Sequence, residues 1–180
     1  ENLRLEKGLI HEKEYFKELS KKYKKIKNIK KLKDLSKEEK IKETIQALKN
    51  GYELVYGGWL ASGNWRGELD FLEINKTVKS NFGDWSYEII DTKNTSKVKK
   101  DHIYQISLYS FLLKEAQGIL PKNFYILLKD KKKEIVRIGE VYDIFLEQKL
   151  SFENFVKNDL NRKKLEKVSY CSFRDLQEFC

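Results

Sequence analysis

Two short segments place acidic side chains inside runs with the character of β-strands. The first is Gly67-Glu68-Leu69-Asp70, and the second, Tyr87–Lys93, follows about twenty residues later. Side chains two positions apart on a strand leave the same face, so Asp91 and Lys93 project together. If the two strands pair, Asp70 joins them at one edge of the sheet. Burying such charges is costly, which indicates a chemical role.

Metal-assisted chemistry at a phosphate group fits this set of side chains. Neighbouring carboxylates repel each other unless a cation lies between them. Mg²⁺ takes one or two carboxylates, keeps several waters and lowers the pKa of a bound water. Lys93 would orient the water or stabilise developing charge, and the Thr92 carbonyl would be a further ligand. The alternative for an isolated Asp-x-Lys is a surface ion pair of little energetic value.

Predicted helices and strands follow one another along the chain around these residues. Hydrophobic spacing predicts helices over 6–23, over 37–48 behind a Ser36–Glu39 capping box, over 103–115 and over 141–160. Alternation predicts strands over 52–61, 66–74, 85–93, 123–128 and 134–138. It places Leu54, Tyr56 and Gly58 on one side of the first strand. This order indicates an α/β fold.

The motifs, in this order, resemble those of PD-(D/E)xK nucleases of the RecB-like branch. The matching residues are Gly8–Glu12 on the first helix, Asp70, Asp91-Thr92-Lys93, and Gln105–Tyr109 on the helix after the third strand. The resemblance runs from Gly8 to Cys180. It implies a restriction-endonuclease-like α/β core, with a central mixed sheet of about five strands flanked by helices, in a single domain over 1–180.

The resemblance also implies a metal site. His11, Asp70, Asp91 and Thr92 would hold Mg²⁺ or Mn²⁺, and imidazole as a ligand suits Mn²⁺. Lys93 would position the attacking water. For a lone histidine such as His11, the alternative is a partly exposed residue on a helix.

Two further residues receive roles from the resemblance. Gln105 would lie near the site, and Tyr109 would face the nucleic acid backbone. They lie one helical turn apart, so the alternative is a Tyr109 ring packed in the core with Gln105 at its rim. Glu12 is predicted to be a surface residue. Glu68, expected on the face of Asp70, is a reserve candidate for the site.

The charge of the chain favours a polyanionic partner. Thirty-seven Lys and Arg against 28 Asp and Glu give a net charge of +9, and basic surfaces bind nucleic acid through counterion release. A Lys-rich composition caused by genomic base bias is the alternative. The run Lys21–Lys33 is either a solvated face or a basic patch that guides a nucleic-acid strand. Trp59, Trp65 and Trp85 either stack on unpaired bases or pack in the core.

Cysteine usage indicates a reducing, cytoplasmic setting. The chain has two cysteines, Cys171 and Cys180, which do not make a secreted disulfide framework. Its apolar runs are too short to span a bilayer, so no membrane partner is expected. Several RecB-like nucleases bind a 4Fe–4S cluster through four cysteines, three of them in a C-terminal Cys-x2-Cys-x5-Cys. Here Arg174 occupies the middle position, so no cluster is expected.

The resemblance implies a metal-dependent nuclease that hydrolyses phosphodiester bonds of DNA. The expected mode is exonuclease action on single-stranded ends in repair or recombination, with a helicase or repair protein as partner. One alternative is a non-catalytic nucleic-acid-binding module of a larger repair, helicase or CRISPR assembly, which the degenerate cysteine motif supports. Another is a metal-dependent hydrolase of small phosphates, which the basic charge and the lack of a Gly-rich phosphate loop disfavour.

Overall fold

The computed structural model describes residues 2–159, with side chains described from 6 to 157. Contacts divide the chain into two compact units, one covering Glu1–Gly139 and the other beginning at Glu140. In the described residues, the first unit holds a β-sheet and three α-helices, and the second holds one α-helix. The single domain expected over 1–180 stays a prediction.

The first unit contains a mixed sheet of six strands, and the predicted α/β class is confirmed. The strands lie side by side in chain order. β1 is parallel to β2 and β4 is parallel to β5, whereas the other neighbours are antiparallel. The strands are β1 (Ile26–Asn28), β2 (Leu54–Ser62), β3 (Trp65–Asn75), β4 (Ser86–Lys93), β5 (Asn123–Leu128) and β6 (Lys133–Arg137).

β1 is the strand that the sequence did not predict. It has three residues and lies in the lysine-rich run, where charge obscures any alternation. Pairing of Ile26 with Leu54 and a 2.7 Å hydrogen bond from Glu53 N to Lys25 O hold it at the sheet edge. Ile29, which follows β1, is fully buried. The run is therefore not simply a solvated face, because tertiary contacts order part of it.

The α-helices are α1 (Asn2–Lys22), α2 (Lys37–Lys49), α3 (Lys100–Gln117) and α4 (Tyr142–Asp159). The predicted capping box at the start of α2 is confirmed, because Glu39 N donates to Ser36 Oγ and Ser36 N donates to the Glu39 carboxylate. α3 ends at Gly118, which adopts a left-handed φ of 79°. Within residues 2–159, every helix is too short or too polar to cross a membrane.

Different helices cover the two faces of the sheet. On one face, the ring of Tyr15 in α1 meets the ring of Phe71 edge-on, with centroids 5.5 Å apart. On the other face, Gly67 of β3 lies against the ring of Tyr109 in α3. Each large apolar side chain buried in this way stabilises the fold by about 1.5–3 kcal/mol. The buried cluster on the α1 face contains Leu19, Leu54, Tyr56, Phe71 and Ile90.

The alternation of β2 breaks at Gly57. The ring of Tyr56 stacks on Phe71 on the α1 face, whereas Gly58 faces Thr44 of α2 on the other face. The prediction that Gly58 shares the side of Tyr56 is therefore wrong. The physical reason is the φ of 67° at Gly57. This left-handed conformation places the following residue, Gly58, on the opposite face of the sheet from the one that regular alternation predicts.

The alternation of β3 breaks at Asp70, which lies opposite Gly57 of β2. Phe71 faces α1, but Gly67, four residues earlier, faces α3. The paired residues on either side of the break are Tyr56 with Phe71 and Gly58 with Leu69. Asp70 therefore lies at a local break in the β2–β3 ladder rather than on a regular strand face.

Candidate active site

Asp70 lies where β3 and β4 separate. The ladder between these strands ends at the pair of Phe71 and Ile90, one residue short of Asp70. Beyond this pair, Asp70 Oδ2 accepts hydrogen bonds from Thr92 N at 2.8 Å and from Thr92 Oγ1 at 2.6 Å. At this point the side-chain carboxylate of Asp70, rather than its backbone, is hydrogen-bonded to β4. The sequence pointed to the Thr92 carbonyl but not to these two donors.

Asp91 and Lys93 project together from β4, as predicted from alternation. Asp91 Oδ2 lies 2.6 Å from Lys93 Nζ, and the two side chains are 3% and 18% exposed. Burial raises the pKa of Asp91 to about 7; Lys93 opposes this shift, while Asp70 and Glu12 add to it. Other side chains therefore compensate only part of the cost of burying the negative charge of ionised Asp91.

Glu12 joins this cluster from α1, and its predicted surface position is wrong. It is 5% exposed, forms an ion pair with Lys30, and is hydrogen-bonded to the Tyr56 hydroxyl. Burial first, and then repulsion by Asp70, raise the pKa of the Glu12 carboxyl. The available signal in the sequence was its place in the Gly8–Glu12 segment, which drew attention to the histidine instead.

Lys30 reaches the same cluster from the short 3-10 helix Ile29–Lys31. Its Nζ contacts Glu12 and lies 3.4 Å from Glu68 Oε1. Burial lowers the pKa of Lys30, but Glu12, Asp70 and Glu68 raise it above its ordinary value, so the ammonium stays charged. Glu68, the reserve candidate, lies at the outer edge of the cluster with its side chain 39% exposed. Sequence reasoning missed Lys30 because nothing local marks it among its neighbouring lysines.

His11 lies apart from these contacts. It lines a shallow depression that also contains Glu18 and Lys131, and its Nε2 is buried without a hydrogen-bond partner in the described chain. Among the described residues, no ion pair or hydrogen bond joins His11 to Asp70 or Asp91. Its role as a metal ligand stays a prediction.

Gln105 and Tyr109 contact each other on α3. Gln105 Nε2 donates to Tyr109 Oη at 2.8 Å. Tyr109 is 3% exposed, and its ring is so close to Gly67 that a Cβ there would lie 2.6 Å from it. A buried ring does not face a nucleic acid strand, so the core-packing alternative describes Tyr109. Gln105 is half-buried at its rim, and its part in the site stays a prediction.

The three tryptophans separate into two kinds. Trp85 lies against Gly51 and Gly83, and its Nε1 donates to Leu48 O at 3.1 Å, so it serves the packing of the fold. Trp59 and Trp65 are half-buried on the β2–β3 hairpin, and base stacking by them stays a prediction. The cysteine tail, with Cys171, Arg174 and Cys180, lies outside the described residues.

The carboxylates of the cluster have the chemistry that a hard divalent cation requires. Glu12, Asp70 and Asp91 offer oxygen donors, and burial first, then repulsion by neighbouring carboxylates, raises the pKa values of Glu12 and Asp91. Within the described residues, no three His, Cys, Asp or Glu side chains already form a metal-binding group. The carboxylates instead contact lysines and Thr92, so a cation would exchange with some of these contacts.

The chain matches no protein-family model, and no significant match is found among curated proteins.

Proposed function

We propose that this chain is a metal-dependent nuclease that hydrolyses phosphodiester bonds of DNA. The observation that carries the proposal is the buried Asp91–Lys93 pair, which lies beside Asp70 and Glu12 where two central strands separate. Glu12 and Asp91 are buried and Asp70 is half-buried, and grouping these carboxylates costs stability unless cations compensate them. Perturbed carboxyl groups of this kind cluster at functional sites, and phosphoryl chemistry gives this cluster a use.

Asp70 and Asp91 would hold Mg²⁺ or Mn²⁺, with Glu12 as a further oxygen donor. When bound, the ion would supply an acidified water and would neutralise negative charge on the phosphate. Thr92 keeps Asp70 in one orientation through two hydrogen bonds, so this ligand is positioned in advance. His11 stays the predicted nitrogen ligand.

Lys93 is the residue proposed to touch the reacting atoms. Its side chain is 18% exposed, and its ammonium group contacts Asp91 within the cluster. From there it would donate to the attacking water or to a phosphate oxygen and stabilise the negative charge that develops. Charges act more strongly in this partly buried setting than in bulk water.

The substrate is proposed from charge and from the resemblance to RecB-like nucleases. A net charge of +9 favours a nucleic acid through counterion release. Single-stranded DNA ends are the proposed substrate, with exonuclease action in repair or recombination. The proposed setting is the reducing cytoplasm, beside a helicase or repair protein.

A time course on end-labelled single- and double-stranded DNA and RNA, with Mg²⁺, Mn²⁺ or EDTA, tests the proposal. We expect single-stranded DNA to be shortened from its ends with either cation and to stay intact in EDTA. Asp91→Asn and Lys93→Met should each lower the rate by about 10³-fold, the scale of losing a group that stabilises the transition state.

A second Asp–Lys pair in the chain provides a matched control. Asp84 Oδ1 lies 2.8 Å from Lys79 Nζ, but these side chains are 81% and 83% exposed. Asp84→Asn and Lys79→Met should cut at the wild-type rate. Unchanged cleavage by Asp91→Asn, or no cleavage of any substrate by the wild-type chain, would contradict the proposed function.

A further inference from the structure

Lys30 brings a second positive charge into the carboxylate cluster, and no step proposed above uses it. Its Nζ forms an ion pair with Glu12 and lies 3.4 Å from Glu68 Oε1. Asp70 is close enough for its carboxylate to raise the pKa of Lys30. The ammonium group therefore has carboxylates as its nearest charged neighbours, as a bound cation would.

The backbone of β2 keeps a place open for this lysine. A Cβ on Gly57 would overlap Lys30 Cγ and would lie 2.9 Å from Lys30 Cε. The φ of 67° at Gly57 also disfavours any side chain there. Lys30 Nζ lies 5.2 Å from the centroid of the Tyr56 ring, which adds a cation–π contact. The side chain of Lys30 is therefore enclosed on several sides rather than free to move in solvent.

The charges of the cluster indicate how many cations it accommodates. The four carboxylates of Glu12, Glu68, Asp70 and Asp91, with the ammonium groups of two lysines, carry a formal charge of −2 when all are ionised. A single divalent ion balances that charge. Without the charge of Lys30, a single divalent ion would leave uncompensated negative charge around Glu12 and Glu68. That charge would attract a second ion.

We propose that Lys30 is a built-in cation that takes the place of a second metal ion and limits the nuclease site to a single divalent ion. The inference rests on the proposed function, because it assumes that Asp70 and Asp91 hold a metal. Lys30 acts through Glu12 and is a positioning residue, since no contact places it at the reacting atoms.

Mn²⁺ titration of the full chain without nucleic acid tests this inference. Electron paramagnetic resonance of free Mn²⁺ gives the number of ions bound, and competition with Mg²⁺ defines the specific sites. We expect about one ion per wild-type chain and about two per Lys30→Met chain, in keeping with the few carboxylates each ion requires. Lys30→Arg, which keeps the charge, should return to about one ion per chain.

The neighbouring Lys31→Met is the matched control, because Lys31 is exposed and should leave the number of ions unchanged. If Lys30→Met is unfolded without metal, refolding by Mn²⁺ with two bound ions supports the inference, and refolding with one ion or none overturns it. Two ions on the wild-type chain also overturn it. If the wild type binds one ion and cuts DNA while Lys30→Met still binds one, the inference fails and the proposed function stands. If the wild-type chain binds no Mn²⁺, both fail.

Discussion

The β3–β4 strand pair carries acidic side chains at both of its ends, and their surroundings differ. At one end, Glu73 and Glu88 are direct partners across the ladder. The Tyr23 hydroxyl donates to Glu73, and the Tyr125 hydroxyl donates to Glu88 at 3.0 Å. Two like charges are opposed here, yet each carboxylate has a neutral donor assigned to it.

At the other end, Asp70 and Asp91 lie beyond the last paired residues. Asp70 is held by Thr92, but Asp91 is fully buried against one lysine, and its pKa is raised to about 7 by burial. No hydroxyl donor to Asp91 is present among the described contacts. Opposed carboxylates alone therefore do not mark a site. What distinguishes the second end is burial with incomplete compensation.

Matched substitutions at the two ends of the β3–β4 pair should differ most strongly in their effect on DNA cleavage. Asp70→Asn removes a proposed metal ligand and should lower DNA cleavage by about 10³-fold. Glu88→Gln makes the same chemical change at the other end and should leave the rate within about twofold, because it touches no reacting group. Initial rates on end-labelled single-stranded DNA measure both. Equal losses in the two variants would remove the distinction.

The next effect is a pH dependence of stability that comes from Asp91. Its carboxyl group ionises near 3.8 in the unfolded chain but near 7 in the folded chain, because burial raises its pKa. Between these values the folded state holds an extra proton, so the stability present below 3.8 is lost as pH rises through 7. Relative to Asp91→Asn, the wild type should lose up to about 1.4 kcal/mol per pH unit in this window.

Urea denaturation with EDTA, at several pH values across this window, measures that loss. The comparison is between the two free energies of unfolding at each pH, so shared pH effects cancel. Parallel curves for the wild type and Asp91→Asn would show that Asp91 ionises normally in the fold.

A smaller effect concerns the preorganisation of Asp70. Thr92→Val removes the hydroxyl donor but keeps the backbone N–H that also bonds Asp70. Loss of such a partner to a metal ligand should weaken Mn²⁺ binding by about tenfold. Calorimetric titration of Mn²⁺ into Thr92→Val and the wild type checks this. Thr95→Val, which alters a hydroxyl bonded only locally to Lys97 O, is the control and should bind Mn²⁺ as the wild type does.

The smallest effect belongs to the other end of the strand pair. Tyr125→Phe removes the 3.0 Å hydrogen bond to Glu88 and should cost about 1 kcal/mol of unfolding free energy. Mn²⁺ affinity should not change, because this tyrosine lies outside the Asp70–Asp91 end. Thermal unfolding and Mn²⁺ titration of the same sample test both statements. A change in Mn²⁺ affinity would mean that the two ends are coupled.

Local sequence pattern was sufficient to predict the part of the site that lies on β4. Asp91 and Lys93 share a face because a strand alternates with a period of two. The capping box of α2 was likewise readable, because Ser36 and Glu39 interact within one turn. These features depend on residues close together in the chain.

The remainder depends on contacts between distant parts of the chain. Glu12 is buried because Lys30 and Tyr56 meet it, and no spacing near Glu12 encodes that meeting. Gly57 has the sequence of an ordinary strand glycine, but its left-handed φ shifts the faces of two strands. β1 is too short to show a period, and it forms because β2 offers it an edge.

The chain order of the strands has a consequence for how the site is assembled during folding. Every strand after β1 is hydrogen-bonded to the one that precedes it in the chain, so each pairing closes a loop between consecutive strands. The β2–β3 hairpin needs the shortest closure and would nucleate first, followed by β4. Glu12 joins through α1, whose partners Phe71 and Ile90 lie on strands that follow α1 in the chain. We therefore expect the carboxylates of β3 and β4 to come together before Glu12 and Lys30 close over them.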